Sequence, residues 1–224
     1  MKNKIDYKKS KDFWNQRANG YGNMSNESIT LFNETNEVKE RDNLEKEELL
    51  KVLLPENAIA LDLGCGIGRL SVELAKRCQK VFAVDFSESL LEIARKENKR
   101  NNIYYINSSC IDFKSTIKFD FILISAVLMY IDDKDLPIVI DNLKHVTQKG
   151  SLIFLKESVS LLGKNFEIIN KYSENLKSEY SAIYRKPIAY SYAFEEAGFE
   201  QINLKKLYQH HQETATMIFL FRRK

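Results

Sequence analysis

The chain has 224 residues, enough for one domain with a sizeable buried core, and its 44% hydrophobic and 29% charged residues exclude a disordered or collagen-like polypeptide. Lys and Arg total 34 against 31 Asp and Glu, so the net charge of +3 predicts neither a nucleic-acid nor a membrane partner. Three cysteines without a CxxC pair (Cys65, Cys78, Cys110) and three histidines without ligand spacing predict no disulfide framework, no metal site and a reducing, cytoplasmic setting.

In chain order, residues 1–10 lack an apolar run, so no signal peptide is expected there. Residues 1–57 read as helical and polar, with Phe13, Trp14, Ala18 and Tyr21 spaced to share a helix face. Residues 37–54 form a second helix, with Val38, Leu44, Leu49, Val52 and Leu53 available for a buried stripe and Pro55 closing it. From there the pattern alternates. Strands are expected at 58–63, 80–84, 103–106, 121–124 and 152–155, the last opened by Gly150. Helices are expected at 68–78, at 87–100 with Ser87 as N-cap, and at 135–146 with Pro137 in the first turn. The longest apolar run, residues 121–131, is too short to span a bilayer. Residues 158–181 read as a polar, partly helical insertion, and 187–197 as a helix stopped by Gly198. Two strands, 201–208 and 214–221, form an antiparallel hairpin at a sheet edge. Short apolar strands between amphipathic helices predict a doubly wound α/β fold with a mostly parallel sheet covered on both faces.

One segment carries chemistry. In Ala60-Leu-Asp-Leu-Gly-Cys-Gly-Ile-Gly-Arg-Leu70 an apolar strand runs into Gly64, Gly66 and Gly68 and then directly into a helix. Alternate glycines turn the backbone tightly and let a ligand approach it, and the helix start offers free N–H groups. Asp85, 21 residues beyond Gly64 at the end of the next strand, stands where doubly wound folds place a carboxylate for ribose hydroxyls. A dinucleotide fingerprint requires G-x-G-x-x-G, but its third glycine position holds Arg69. That spacing disfavours a nicotinamide enzyme. Tyr130 and Lys134 match the Tyr-x-x-x-Lys of short-chain reductases, yet Tyr7 and Lys11 match it as well, so the pattern carries no weight. Asp120 begins a strand and is read as structural, and Cys65 as a small residue in a tight loop.

The G-x-G-x-G loop preceded by Asp62, together with Val84-Asp-Phe-Ser87, Phe119-Asp-Phe-Ile-Leu-Ile-Ser125 and the segment from Leu143 to Glu157, resembles the class I S-adenosylmethionine-dependent methyltransferases over most of residues 11–224. The resemblance implies a seven-stranded sheet with an antiparallel C-terminal hairpin strand, preceded by an N-terminal helical lid. It divides one domain into a lid (1–57), a cofactor-binding core (58–157) and an acceptor-pocket region with the hairpin (158–224).

Residue by residue, the same resemblance implies that Asp62 and the backbone of Gly64, Cys65 and Gly66 hold the amino and carboxylate ends of S-adenosylmethionine, with Arg69 paired to the carboxylate. It gives the ribose hydroxyls to Asp85, a flank of adenine to Phe86, and the adenine edge to Cys110, Ile111 and Asp112; Ser108 and Ser109 replace the Asp that many members carry there. Ser125 and, in the lid-like run Phe13-Trp14-Asn-Gln-Arg17-Ala18-Asn-Gly-Tyr21, Tyr21 complete the cofactor set. Tyr130 (where many members carry His), Glu157 and His210 are the catalytic candidates, and Trp14, Tyr130, Tyr184, Arg185 and His211 the acceptor-binding ones. The reaction expected is methyl transfer to an N or O atom of a polar small molecule, leaving S-adenosylhomocysteine. Gly20-Tyr21-Gly22 and Asp112-Phe113 also resemble protein α-N-terminal methyltransferases, but residues 158–186 hold no Asp. A non-catalytic cofactor-binding module is the alternative of another class.

Overall fold

The computed structural model describes residues 5–19, 36–173, 178–209 and 212–224, with backbone only at 36 and 37. The five apolar runs become β1 (Ile59–Leu63), β2 (Lys80–Asp85), β3 (Ile103–Asn107), β4 (Phe119–Ser125) and β5 (Thr147–Ser160). Each of β1 to β4 runs parallel to its neighbours. With β8 (Phe199–Gln209) and β9 (Thr214–Arg223) they form a seven-stranded sheet of order β3-β2-β1-β4-β5-β9-β8, in which β9 lies antiparallel between β5 and β8. The doubly wound fold and the antiparallel hairpin expected from the sequence are both present. Strand order reverses between β1 and β4, and such a reversal opens a crevice beyond the carboxyl ends of the strands.

Side chains alternate across the sheet and make two cores. Ile122 and Ile124 of β4 join Phe113, Phe119, Tyr190, Phe194, Phe219 and Phe221 on one face. Phe121 and Leu123 join Leu49, Leu70, Leu74, Phe154 and Ile218 on the other. Helices α3 (Arg69–Ala75) and α4 (Glu88–Glu97) connect the first three strands, α5 (Leu136–His145) joins β4 to β5, and α6 (Pro187–Glu196) precedes β8. Ser87 caps α4, its Oγ accepting from Leu90 N at 3.3 Å, as the sequence predicts. Asp120 is structural too: its Oδ2 accepts from Ile59 N at 2.9 Å and ties the start of β1 to β4.

Two expectations are corrected. The described residues of the segment 158–181 are not helical. They complete β5 and form a separate antiparallel ribbon of β6 (Phe166–Ser173) and β7 (Ser178–Tyr184). Phe166/Ile168 and Tyr180/Ala182/Tyr184 repeat with period two, which fits a strand and defeats a helix. The apolar stripe of the second helix also differs. Helices α1 (Tyr7–Asn19) and α2 (Asn36–Leu50) form, but Leu44 and Leu53 are exposed while Asp42 and Glu45 are buried beside Val38 and Leu49. The buried face of α2 is therefore partly ionic. Among the described residues no helix is long and apolar enough to cross a membrane.

Phe194 is fully buried and stacks on Phe221 with ring centroids 4.4 Å apart. Truncating it empties a packed site, so Phe194→Ala is expected to cost about 3–5 kcal/mol, read as a lower urea midpoint with an unchanged slope.

Candidate functional site

The crevice at the strand reversal is a cavity of about 1190 Å³. Its floor is the glycine loop between β1 and α3. Gly64 takes φ +79°, and a Cβ there would stand 2.2 Å from Val127 Cγ2, so only glycine lets the post-β4 turn close on the loop. Gly66 takes φ +56° with no atom within 4 Å of a Cβ position, leaving open space in front of the loop backbone. The loop is tied to β2 by Gly64 N and Cys65 N, which donate to Val84 O at 2.7 and 3.0 Å.

Asp85 ends β2 inside this crevice. Its Oδ2 accepts from Gly66 N at 2.8 Å and its Oδ1 from Ser87 N at 2.9 Å. Burial pushes its carboxyl up to about 6 against those N–H donors. Asp62, on β1, receives the Ser71 hydroxyl at 2.6 Å, and burial again dominates, raising it to about 7. Phe86, Cys110, Ile111 and Asp112 line the same end, with Asp112 held by the Ser109 hydroxyl, which donates to its Oδ2 at 2.6 Å. Burial raises the Cys110 thiol to about 12 and lifts Cys65 well above its usual value, so neither is a nucleophile at neutral pH.

Arg69 lines the cavity but is not free to meet a ligand carboxylate, which corrects its expected role. Its guanidinium donates to Asp42 and Glu45 of α2. Glu45 also meets Lys156 Nζ at 3.1 Å and accepts from the Ser125 hydroxyl. Burial alone would raise the Glu45 carboxyl, but Arg69, Lys156 and the Ser125 hydrogen bond outweigh it and hold it at about 2. One acidic side chain thus joins α2 to the start of α3, the end of β4 and the interior of β5.

The far end of the cavity is aromatic. Tyr130 sits on a 3-10 turn, Leu128–Tyr130, and Trp14 of α1 meets it edge-on at 5.8 Å. Tyr180 packs edge-on against Tyr130 at 6.0 Å, its hydroxyl 3.0 Å from that of Tyr184, which stacks on Phe166 at 4.8 Å. Burial raises all three tyrosine hydroxyls, so they act as neutral donors and acceptors and not as phenolate bases. Lys8, Lys11 and Lys171 line the mouth.

Two expected site residues lie elsewhere. Glu157 and Arg185 are buried and are not among the described residues lining the cavity. Alternation along β5 sends Lys156 and Ser158 into the cavity and turns Glu157 to the opposite face. There its Oε1 accepts from Val127 N at 2.8 Å and Leu128 N at 2.6 Å, and burial raises the carboxyl to about 7 despite those donors. Arg185 donates to Leu128 O at 2.8 Å, to Ile131 O at 2.6 Å and through Nε to Asp133 at 2.9 Å. Neither lines the cavity, so the structure does not bring Glu157 to its expected catalytic place or Arg185 to its expected acceptor-binding one. Tyr21, His210 and His211 lie outside the described residues. The sequence reading missed Asp42, Glu45, Lys156 and Tyr180. The period-two spacing of Tyr180 and Tyr184 signals a cavity-facing strand, whereas nothing in the Glu/Lys-rich α2 sequence marks Glu45 as buried.

The family described as Methyltransferase domain matches residues 60–150. Phosphoethanolamine N-methyltransferase 1 of Zea mays is 35% identical over 161 residues, covering 67% of this chain and 30% of that protein. The chain spans about a third of the length of the first curated relatives it matches. Among solved structures, a SAM-dependent methyltransferase from Leishmania major superposes with TM-score 0.69 at 20% identity, covering 96% of this chain and 82% of that one. The DhpI–SAH complex gives 0.70 at 14% identity, covering 96% of each.

The Glu45 cluster yields a stability prediction. A carboxyl held at about 2 against an ordinary 4.5 contributes stability above pH 4.5 that disappears as pH falls towards 2. Glu45→Gln takes the carboxylate from Lys156 and leaves Arg69 with Asp42 alone, and is expected to cost about 3–5 kcal/mol in urea unfolding at pH 7. The deficit should shrink as the pH of the measurement is lowered through that window.

Proposed function

The chain belongs to the class I S-adenosylmethionine-dependent methyltransferases, and we propose on that footing that it methylates the nitrogen of a small polar amine. The observation that carries the reading is a single cavity with buried carboxylates at a glycine loop at one end and an aromatic wall at the other. The residues at the first end fit the cofactor. Gly66 leaves room against the backbone, Asp85 presents a buried carboxylate, and Phe86 and Ile111 supply an apolar slot. When bound, S-adenosylmethionine supplies a methyl group already activated on a sulfonium.

In this reading Asp85 accepts the ribose hydroxyls and Asp62 the cofactor's amino group. The N–H groups of the Gly64–Gly66 loop hold its carboxylate, with no help from the already paired Arg69. Cys110 and Ile111 present backbone to the adenine edge, and Asp112 braces that loop through Ser109. Helix α1 serves as the lid, with Trp14 as its contact to the acceptor end.

The protein's share of the chemistry is positioning and exclusion of water. The faces of Trp14, Tyr130, Tyr180 and Tyr184 attract a cation, which suits an amine that becomes more cationic as the sulfonium charge disappears. Charge then moves across a weakly polar cleft without being newly created. Neutral tyrosine hydroxyls orient the amine by hydrogen bonds. Lys8, Lys11 and Lys171 at the mouth suit an acceptor whose other end is anionic, and the relatives named phosphoethanolamine N-methyltransferases support that choice.

Transfer of labelled methyl groups from S-adenosylmethionine to phosphoethanolamine and to ethanolamine tests the reading. Labelling of an amine, favouring the phosphorylated one, is expected; cofactor binding with no transfer to any amine would leave a non-catalytic module. Asp85→Ala is expected to weaken S-adenosylhomocysteine binding roughly 100-fold, because two hydrogen bonds to a charged acceptor disappear. Ionised carboxylates accept these donors more strongly than neutral carboxyls do. Cofactor affinity should therefore be flat at high pH and fall as Asp62 is protonated near 7 and Asp85 near 6. Titration calorimetry across pH checks this, and the lower step should vanish in Asp85→Ala.

A further inference from the structure

The turn after β4 brings Met129 and Tyr130 to the cavity, yet it has little of its own to hold it. Its internal hydrogen bonds are Tyr130 N to Val127 O at 3.0 Å and Ile131 N to Leu128 O at 3.2 Å. One turn of helix is not stable by itself. It opens, moreover, on Ala126 at φ +56°, a left-handed conformation that a non-glycine residue keeps only when its surroundings enforce it.

The enforcement comes from beneath. The amides at the start of the turn, Val127 and Leu128, both donate to one oxygen of Glu157. The carbonyls of Leu128 and Ile131, towards its end, both accept from the Arg185 guanidinium. A carboxyl oxygen meets the N–H end and a guanidinium meets the C=O end, so each end of the turn finds the partner its orphan groups need. Both side chains are buried, and neither lines the cavity. Ala126 N donates to Lys156 O at 2.8 Å, so β5 also grips the start of the turn by its backbone. Val127 in turn rests on Gly64 in the cofactor loop.

We propose that Glu157 and Arg185 are positioning residues of the acceptor site, gripping the turn at residues 127–131 from its two ends and so fixing where Met129 and Tyr130 stand relative to the reacting atoms. The proposal rests on the methyl-transfer reading for its catalytic meaning. It assigns no contact with substrate to either residue. Their effect passes through the turn, in the way a small misplacement of a positioning element lowers turnover without abolishing binding.

The protein carries its own reporter. Trp14 is the single tryptophan of the chain and touches Tyr130 edge-on. Glu157→Met, Arg185→Met and Arg185→Lys are compared with wild type for S-adenosylhomocysteine affinity, for kcat and KM with phosphoethanolamine, and for Trp14 emission. Glu157→Met and Arg185→Met, which remove the acceptor and the donors, are expected to bind S-adenosylhomocysteine like wild type, shift Trp14 emission, and lose roughly 100-fold in kcat with little change in acceptor KM. Arg185→Lys, which keeps the charge, is expected to recover part of the loss. Wild-type emission and kcat in the two disruptive variants would overturn the proposal. So would a loss of S-adenosylhomocysteine affinity in step with kcat, which marks general support of the fold. A wild-type protein that binds S-adenosylhomocysteine but methylates no amine contradicts the functional reading instead. Trp14 emission then decides the clamp, unmoved emission overturning it and shifted emission supporting it.

Discussion

The contact between Gly64 and Val127 is the constraint on which both ends of the cleft depend. A Cβ on Gly64 would overlap the Val127 side chain, so the first loop and the post-β4 turn pack this closely only because one residue has no side chain. The approach follows from topology. β1 and β4 are neighbours whose connections leave in opposite directions, and their carboxyl ends splay a crevice between two loops that still touch at its base.

Burial then sets the charges differently along the cleft. Asp62 and Asp85 are buried with few cations near, and their carboxyls rise to about 7 and about 6. Glu45 is as deeply buried, yet Arg69 and Lys156 hold it at about 2. The difference is one of neighbours and not of depth. It separates two carboxyls held by amide and hydroxyl donors from one held by two cations, and it makes α2 a structural part of the cleft although α2 lies outside the segment matched to the methyltransferase domain family.

Much of this was legible in the sequence, for physical reasons. Apolar runs of four to six residues between helical periods suit the buried strands of a mostly parallel sheet, and the alternate glycines followed by Asp85 mark the turn and the carboxylate that such a sheet presents. The ribbon of β6 and β7 was misread because polar Asn, Lys and Ser mask a period-two pattern carried by Phe166, Ile168, Tyr180 and Tyr184. Glu157 was misread because strand ends near a crevice attract catalytic assignments, whereas alternation along β5 gives the cavity to Lys156 and Ser158. Arg69 was misread because its partners, Asp42 and Glu45, lie 27 and 24 residues earlier on a helix whose composition resembles a solvated surface. Local pattern specifies elements and loops; which charged side chains meet is a property of the packed whole.

The most direct measurement is a crystal structure of the protein grown with S-adenosylhomocysteine. The account predicts the nucleoside lying across the carboxyl ends of β1 and β2, both ribose hydroxyls within hydrogen-bond distance of the Asp85 carboxylate, and the sulfur pointing towards Tyr130. A ligand bound with its ribose away from Asp85, or a crevice that stays empty at saturating ligand, would contradict it.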